Sequence, residues 1–132
     1  MYGSFDISTS ALTAQRIRLE TIASNIANIH SIQQQGEPSP YRRLFPIFEA
    51  QRTADGGTGV RVAAIQQDMS DFRMVKEPGN PYADAQGYVR YPNVDLSTEQ
   101  VNALETTRAY EANITAIETT KSMIASTLRI LA

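Results

Sequence analysis

The stretch STEQVNALETTRAYEANITAIETTKSMIASTLRIL, residues 97–131, decides how this chain folds. It holds no Gly and no Pro, so nothing in it interrupts a helix. Its opening, Ser97-Thr98-Glu99-Gln100, has the form of a capping box, Ser followed three residues later by Gln. Apolar residues then recur at helical spacing: Tyr110, Ile114, Ile117, Ile124, Leu128 and Leu131, interrupted only by Lys121. A long side chain can carry that charge out of a seam. A helix over this stretch measures about 52 Å at the standard rise. A compact globule of 132 residues has a radius of gyration of about 14 Å and a diameter of roughly 36 Å. The helix therefore overhangs any globule this chain can make, and its stripe runs on to Leu131. The sequence predicts an elongated subunit whose leftover apolar surface is buried against other chains.

A second breaker-free stretch, residues 5–29, lies at the other end. Phe5, Ser8, Leu12, Gln15, Leu19, Ile22, Ile26 and Ile29 follow a three-four spacing, and six of these eight are apolar. Ser4 or Asp6 is placed to cap its start, and Asn28 to end it in the left-handed conformation. At about 36 Å this helix can cover only part of the longer one. The two stripes predict antiparallel packing, with Leu12, Leu19, Ile22 and Ile26 facing Tyr110, Ile114, Ile117 and Ile124.

Between the helices the composition changes. Residues 36–92 hold six of the seven Gly and all six Pro. Arg43 to Phe48, Val60 to Val62, Phe72 to Lys76 and Gly87 to Tyr91 read as short strands of one small sheet. Pro46 confines the first to an edge or a bulge, and Pro78-Gly79 suits the centre of a type II turn. The expected class is α+β, mainly α. Long N- and C-terminal helices (1–30 and 93–132) pack as an antiparallel coiled coil, with a small β-rich domain (31–92) inserted between them.

Composition excludes several functions. Twelve Lys/Arg against fourteen Asp/Glu leave a net charge of -2, which offers no basic surface for nucleic acid. The absence of Cys excludes disulfides, iron–sulfur clusters and thiolate zinc. The single histidine, His30, excludes a multi-His metal site within the chain. No apolar run approaches the ~20 residues of a membrane span. Met1 to Ser10 has neither a basic nor an apolar signal region, so no cleaved secretory signal is expected. His30 with Ser31 lacks the converging partners of a catalytic pair. Asp84-Ala85-Gln86-Gly87 lacks the alternating ligands of a calcium loop and reads as a turn. Gly56-Gly57-Thr58-Gly59 lacks the Lys of a phosphate loop and reads as a hairpin loop. Arg42 and Arg43 beside Tyr41 suit subunit or structural contacts.

Several blocks carry a family likeness. Ala11 to Arg16 with Leu19 to Asn28, including Ala23-Ser24-Asn25-Ile26-Ala27-Asn28, resembles the N-terminal signature of bacterial flagellar rod, hook and hook-associated proteins. Tyr41-Arg42-Arg43 is similar to that family's P-Y-R-R block. Glu77 to Asp84, Gly87 to Leu96 and Arg108 to Leu128 resemble the flagellar basal-body rod proteins, those of the proximal rod above all. From His30 to Glu37 the chain departs from the Gly-rich, Thr-containing connection usual in the family.

The resemblance implies a non-enzymatic building block without cofactors. Its terminal helices form an inner tube and its middle segment a small outer β domain. It implies export without a cleaved signal, through the flagellar type III apparatus. Assembly then follows in the periplasm with copies of itself, proximal and distal rod proteins and a basal-body adaptor. No nucleic acid and no direct membrane insertion are implied. The expected helix-seam and assembly residues are Leu12, Leu19, Ile22, Asn25, Ile26, Asn28, Tyr110, Asn113, Ile114, Ile117, Ile124, Leu128 and Leu131. The expected peripheral contacts are Tyr41, Arg42 and Arg43. The alternatives are another axial rod protein, against which the Gly87-to-Leu96 block speaks, and a small cytosolic binding module.

Overall fold

The computed structural model describes residues 2–33 and 37–132, so part of the divergent 30–37 connection lies outside the described residues. In chain order the elements are α1 (Tyr2–Ala27), β1 (Leu44–Arg52), β2 (Thr58–Gln67), β3 (Arg73–Lys76), β4 (Tyr88–Tyr91) and α2 (Leu96–Leu131). The fold is α+β and mainly α, as its distribution of Gly and Pro requires. The middle makes two separate antiparallel pairs, β1–β2 and β3–β4, in place of the single small sheet expected.

The helix ends differ from their expected form. Asp95, not Ser97, caps α2: its Oδ1 accepts from Ser97 N–H at 3.2 Å and its Oδ2 from the Thr98 hydroxyl at 2.9 Å. The cap stands two residues earlier than expected, and Glu99 in the first turn is fully buried. α1 already begins at Tyr2, so Ser4 and Asp6 lie inside it and cap nothing. Asn28 does not adopt a left-handed conformation; its side-chain amide donates instead to Ser24 O at 2.8 Å. Gly79 likewise lacks a positive φ, so the Glu77–Asn80 turn, closed by Asn80 N–H to Glu77 O at 3.0 Å, is not of type II. The Asp84–Gly87 turn forms as read: Asp84 Oδ1 accepts from Gln86 and Tyr88 N–H, both at 2.9 Å, and Gly87 has φ of 85°.

α1 and α2 run antiparallel, as the contacts Asn25–Glu99 and Arg18–Glu105 show. The β1–β2 hairpin lies along the whole of α1. Its root is fixed at Leu44, bonded to Asn25, and Val60 N–H donates to Ser10 Oγ at 3.1 Å. Its tip reaches Gly3, where Asp55 approaches. The lengths agree: nine strand residues span about 30 Å, and α1 between Gly3 and Asn25 rises about 33 Å. A bulge leaves Ala63 of β2 unpaired opposite the Ile47–Phe48 step of β1, one residue beyond Pro46, and bends β2 there. Gly59 permits the close approach, since a Cβ there would stand 2.6 Å from Ser10 Oγ.

The apolar core is small, with Ala14, Ile22, Val89 and Val94 its buried hydrophobic residues. A compact monomer of this mass exposes about 6,900 Å², whereas this chain exposes 8681 Å². The register of the two helices sets α1's start opposite residue 122 of α2, so roughly the last nine residues of α2, about 14 Å, project beyond it.

Candidate assembly site and the polar junction behind it

The seam between the helices is more polar than its sequence stripe. On α2 the residues Glu99, Thr106, Asn113 and Thr120 recur every seven positions and turn toward α1, the first two fully buried. Three of them satisfy themselves. The hydroxyls of Thr106 and Thr120 donate to the carbonyls four residues earlier, Asn102 O at 2.6 Å and Ala116 O at 2.9 Å. Asn113 Nδ2 donates to Ala109 O at 2.9 Å. Thr21, buried on α1, donates to Ile17 O in the same way. A hydroxyl bonded to its own helix can be buried without a partner across the seam.

Glu99 is the exception. It is a carboxylate at 0% exposure, and its partners come from elsewhere. Arg43 Nε donates to Oε1 at 2.5 Å and Asn25 Nδ2 to Oε2 at 3.4 Å. Asn25 uses all four of its bonding positions. Nδ2 also donates to Leu44 O at 2.8 Å, while Oδ1 accepts Leu44 N–H and the Tyr41 hydroxyl, both at 2.9 Å. The Asn25 amide thus pairs with Leu44 as a neighbouring strand would. Tyr41, its proton given to Asn25, accepts from Ser24 Oγ at 3.1 Å.

A second layer holds Arg43 in place. Asn93 Oδ1 accepts Arg43 N–H at 2.8 Å, and Asn93 Nδ2 donates to Asp68 O at 2.9 Å. Arg42 donates to Asp68 O and Ser70 O, both at 3.2 Å, with its guanidinium 4.1 Å from the Phe72 ring centroid. The Ser70 N–H bonded to Asp68 holds that carboxyl below its ordinary value. The Ser70 hydroxyl and the guanidiniums of Arg43 and Arg42 act in the same direction, against partial desolvation. Farther out, Asn80 and Tyr91 bond to Glu77 and lower its carboxyl, and the same contact raises the Tyr91 phenol.

Of the residues expected in the seam, Ile22 and Asn25 are buried. Leu12, Leu19, Ile26, Asn28, Tyr110, Asn113, Ile117 and Ile124 are half-buried. Ile114 stands exposed, off the face that meets α1. The buried face of α2 is centred about one position before the predicted stripe, on 106, 113 and 120. Leu128 and Leu131 lie on the projecting end at 61% and 77% exposure, beside Ile130 at 84%. Tyr41, Arg42 and Arg43, expected as peripheral contacts, bond within the chain to Asn25, Asp68, Ser70 and Glu99. Glu99, Asn93, Asp68 and Thr106 were absent from the expected set. A first-turn Glu ordinarily reads as a helix-dipole partner, and nothing local in the sequence marks this one as buried.

Beside the junction a groove of about 640 Å³ opens between α1 and β1, lined by Ile22, Leu44, Phe45, Pro46 and Phe48 with Asn102 of α2. Among the described residues no group of three His, Cys, Asp or Glu could hold a metal, and no helix is long and apolar enough to cross a membrane. His30 is exposed and meets the edge of Tyr91, ring centroids 6.2 Å apart. The geometry is that of a joint with an unfinished apolar surface.

Two family models match this chain: Flagella basal body rod protein over residues 5–30, and Flagellar basal body rod FlgEFG protein C-terminal over residues 85–130. The flagellar basal-body rod protein FlgC of Bacillus subtilis (strain 168) is 41% identical, across 98% of this chain and 97% of its own. The FlgC of Yersinia enterocolitica is 48% identical, across 94% and 92%. That of Aquifex aeolicus (strain VF5) is 38% identical, across 96% and 94%. With such identity along nearly the whole length, the chain belongs to the FlgC family of flagellar basal-body rod proteins.

Proposed function

We propose that this chain is a structural subunit of the proximal rod, the periplasmic shaft that transmits torque to the flagellum. It works mechanically and without catalysis. The observation that carries this reading is the exposed apolar end of α2, where Met123, Leu128, Ile130 and Leu131 are left uncovered by its own α1. The accessible surface exceeds that of a compact monomer by about 1,800 Å², roughly twice the ~800 Å² that one partner buries in a standard protein interface. Helix pairs 1–30 and 93–132 line the inner tube, and the middle segment 31–92 faces neighbouring subunits or the surrounding basal body. The seam residues Leu12, Leu19, Ile26, Tyr110, Ile117 and Ile124 stiffen the pair. Ile114, Leu128 and Leu131 meet other chains.

The partners are copies of this chain, the other proximal and distal rod proteins and a basal-body adaptor. The flagellar type III export apparatus carries the subunit out. A motile bacterium in which this coding sequence replaces the resident FlgC provides the test. Swimming should be restored, and cryo-EM of its purified basal bodies should show this chain in the rod. Basal bodies that lack the chain, in cells that do not swim, would contradict the proposal.

A further inference from the structure

Glu99 lies one turn inside α2, so the start of α2 cannot lie on α1 without burying it. Both groups that answer its charge are far away in sequence: Arg43 is separated from it by 56 positions and Asn25 by 74. Asn25 comes with α1 itself. Arg43 arrives only when the root of the hairpin is seated, with Leu44 clamped by the Asn25 amide and Arg43 N–H taken by Asn93. Helices that pair before that root is seated enclose a carboxylate without its cation, which is strongly unfavourable. The rest of the seam exerts weaker control, its cross-helix ion pair Arg18–Glu105 being long, at 3.8 Å, and open to water. Thr106, Asn113 and Thr120 are satisfied within their own helix, and the flanking apolar positions repeat, so several registers would otherwise be similar in energy.

We propose that Glu99, Arg43 and Asn25 form a folding interlock. Pairing of α1 with α2 is forbidden until the 41–44 segment docks, and the three elements then order as one unit in one register. A single buried polar position fixes register in coiled coils by the same physics. The interlock is a property of the chain by itself and does not rest on the rod assignment, so its test makes no use of motility.

The test compares the purified full chain with Glu99→Leu, Arg43→Met and the double variant, by denaturant titration and by hydrogen exchange. Arg43→Met strands the buried Glu99 and should lower the folding equilibrium constant by roughly a hundredfold or more, whereas Glu99→Leu leaves Arg43 paired with Asp68 at 3.6 Å and partly in water, and should lower it less. The double variant strands neither and should recover to within about tenfold of the wild type. In the wild type, amides of 14–27, 44–67 and 96–110 should exchange together. In the double variant the hairpin should exchange ahead of the helices, because their pairing no longer encloses a charge that needs Arg43, and only bonds such as Asn25–Leu44 and Ser10–Val60 still hold the hairpin to α1. A single variant that does not fold, beside a double variant that does, supports the interlock. Losses that simply multiply in the double variant would overturn it. So would a double variant that does not fold, or one whose hairpin and helices still exchange as one unit.

Discussion

Truncating Asn25 to Ala removes the piece on which α1, the linker and the hairpin converge. The Asn25 amide is bonded to Leu44 N–H at 2.9 Å, Leu44 O at 2.8 Å and the Tyr41 hydroxyl at 2.9 Å, and it approaches Glu99 at 3.4 Å. Alanine leaves two backbone groups of Leu44 without partners. An orphaned buried polar group costs about 1–3 kcal/mol. Leu44 is half-buried and borders two open grooves, so water can recover part of this, and the lower half of the range applies. The expected loss is about 2–4 kcal/mol, a large part of the 5–15 kcal/mol typical of a folded domain. Urea unfolding followed by far-UV circular dichroism measures it. Ser24→Ala is the control, since it removes one hydrogen bond at the edge of the same cluster and should lose about 1 kcal/mol or less. Asn25→Asp keeps the acceptor, loses both donors and sets a carboxylate against Glu99, so it should be no better than Ala. An unfolding midpoint unchanged by Asn25→Ala, or equal losses at Ser24 and Asn25, would refute the reasoning.

Gly59→Val drives a branched side chain into Ser10 and should destabilise by about 1–3 kcal/mol, whereas Gly79→Ala, with open space around it, should be neutral; thermal melts separate the two. Asp68 has its carboxyl lowered from an ordinary 3.8 in the fold, so its contribution is complete above that value and is lost as pH falls through and below it. Asp68→Asn should flatten stability against pH in that acidic window and leave the slope near neutrality unchanged, as acid titration of the melting temperature will show. Ile117→Ala removes a seam side chain, of a kind whose truncation costs up to ~2–5 kcal/mol when fully buried, and should reduce swimming far more than Thr115→Ala; equal, mild effects in a soft-agar assay would count against the seam.

The long helices and the broken middle were legible because Gly and Pro act locally. A helix over 97–131 needs no knowledge of what it touches, and the Asp84–Gly87 turn is set by its own side chain and one glycine. The seam was legible only in part. Periodicity finds the apolar face of a helix, and in α2 that face is not the one α1 covers. Thr106, Asn113 and Thr120 are acceptable inside because each closes a bond on its own backbone, an option that hydropathy does not register. The site of Glu99 was illegible for a different reason: its burial depends on Arg43 and Asn25, which only the folded chain brings within reach. Tyr41-Arg42-Arg43 stood out as a block, yet the direction in which its side chains point is decided by Asn25, Asp68 and Ser70.

The back-bonded side chains of α2 also have a consequence for its shape. A hydroxyl or amide that shares the carbonyl four residues earlier competes with the helix's own bond there and tilts the local axis. Thr106, Asn113, Thr120 and Thr127 all do this, to Asn102, Ala109, Ala116 and Met123. At seven-residue intervals the direction of tilt drifts by only about 20° each time. Small deflections at these four sites should therefore add in a similar direction instead of cancelling, so that α2 is expected to bow like a stave.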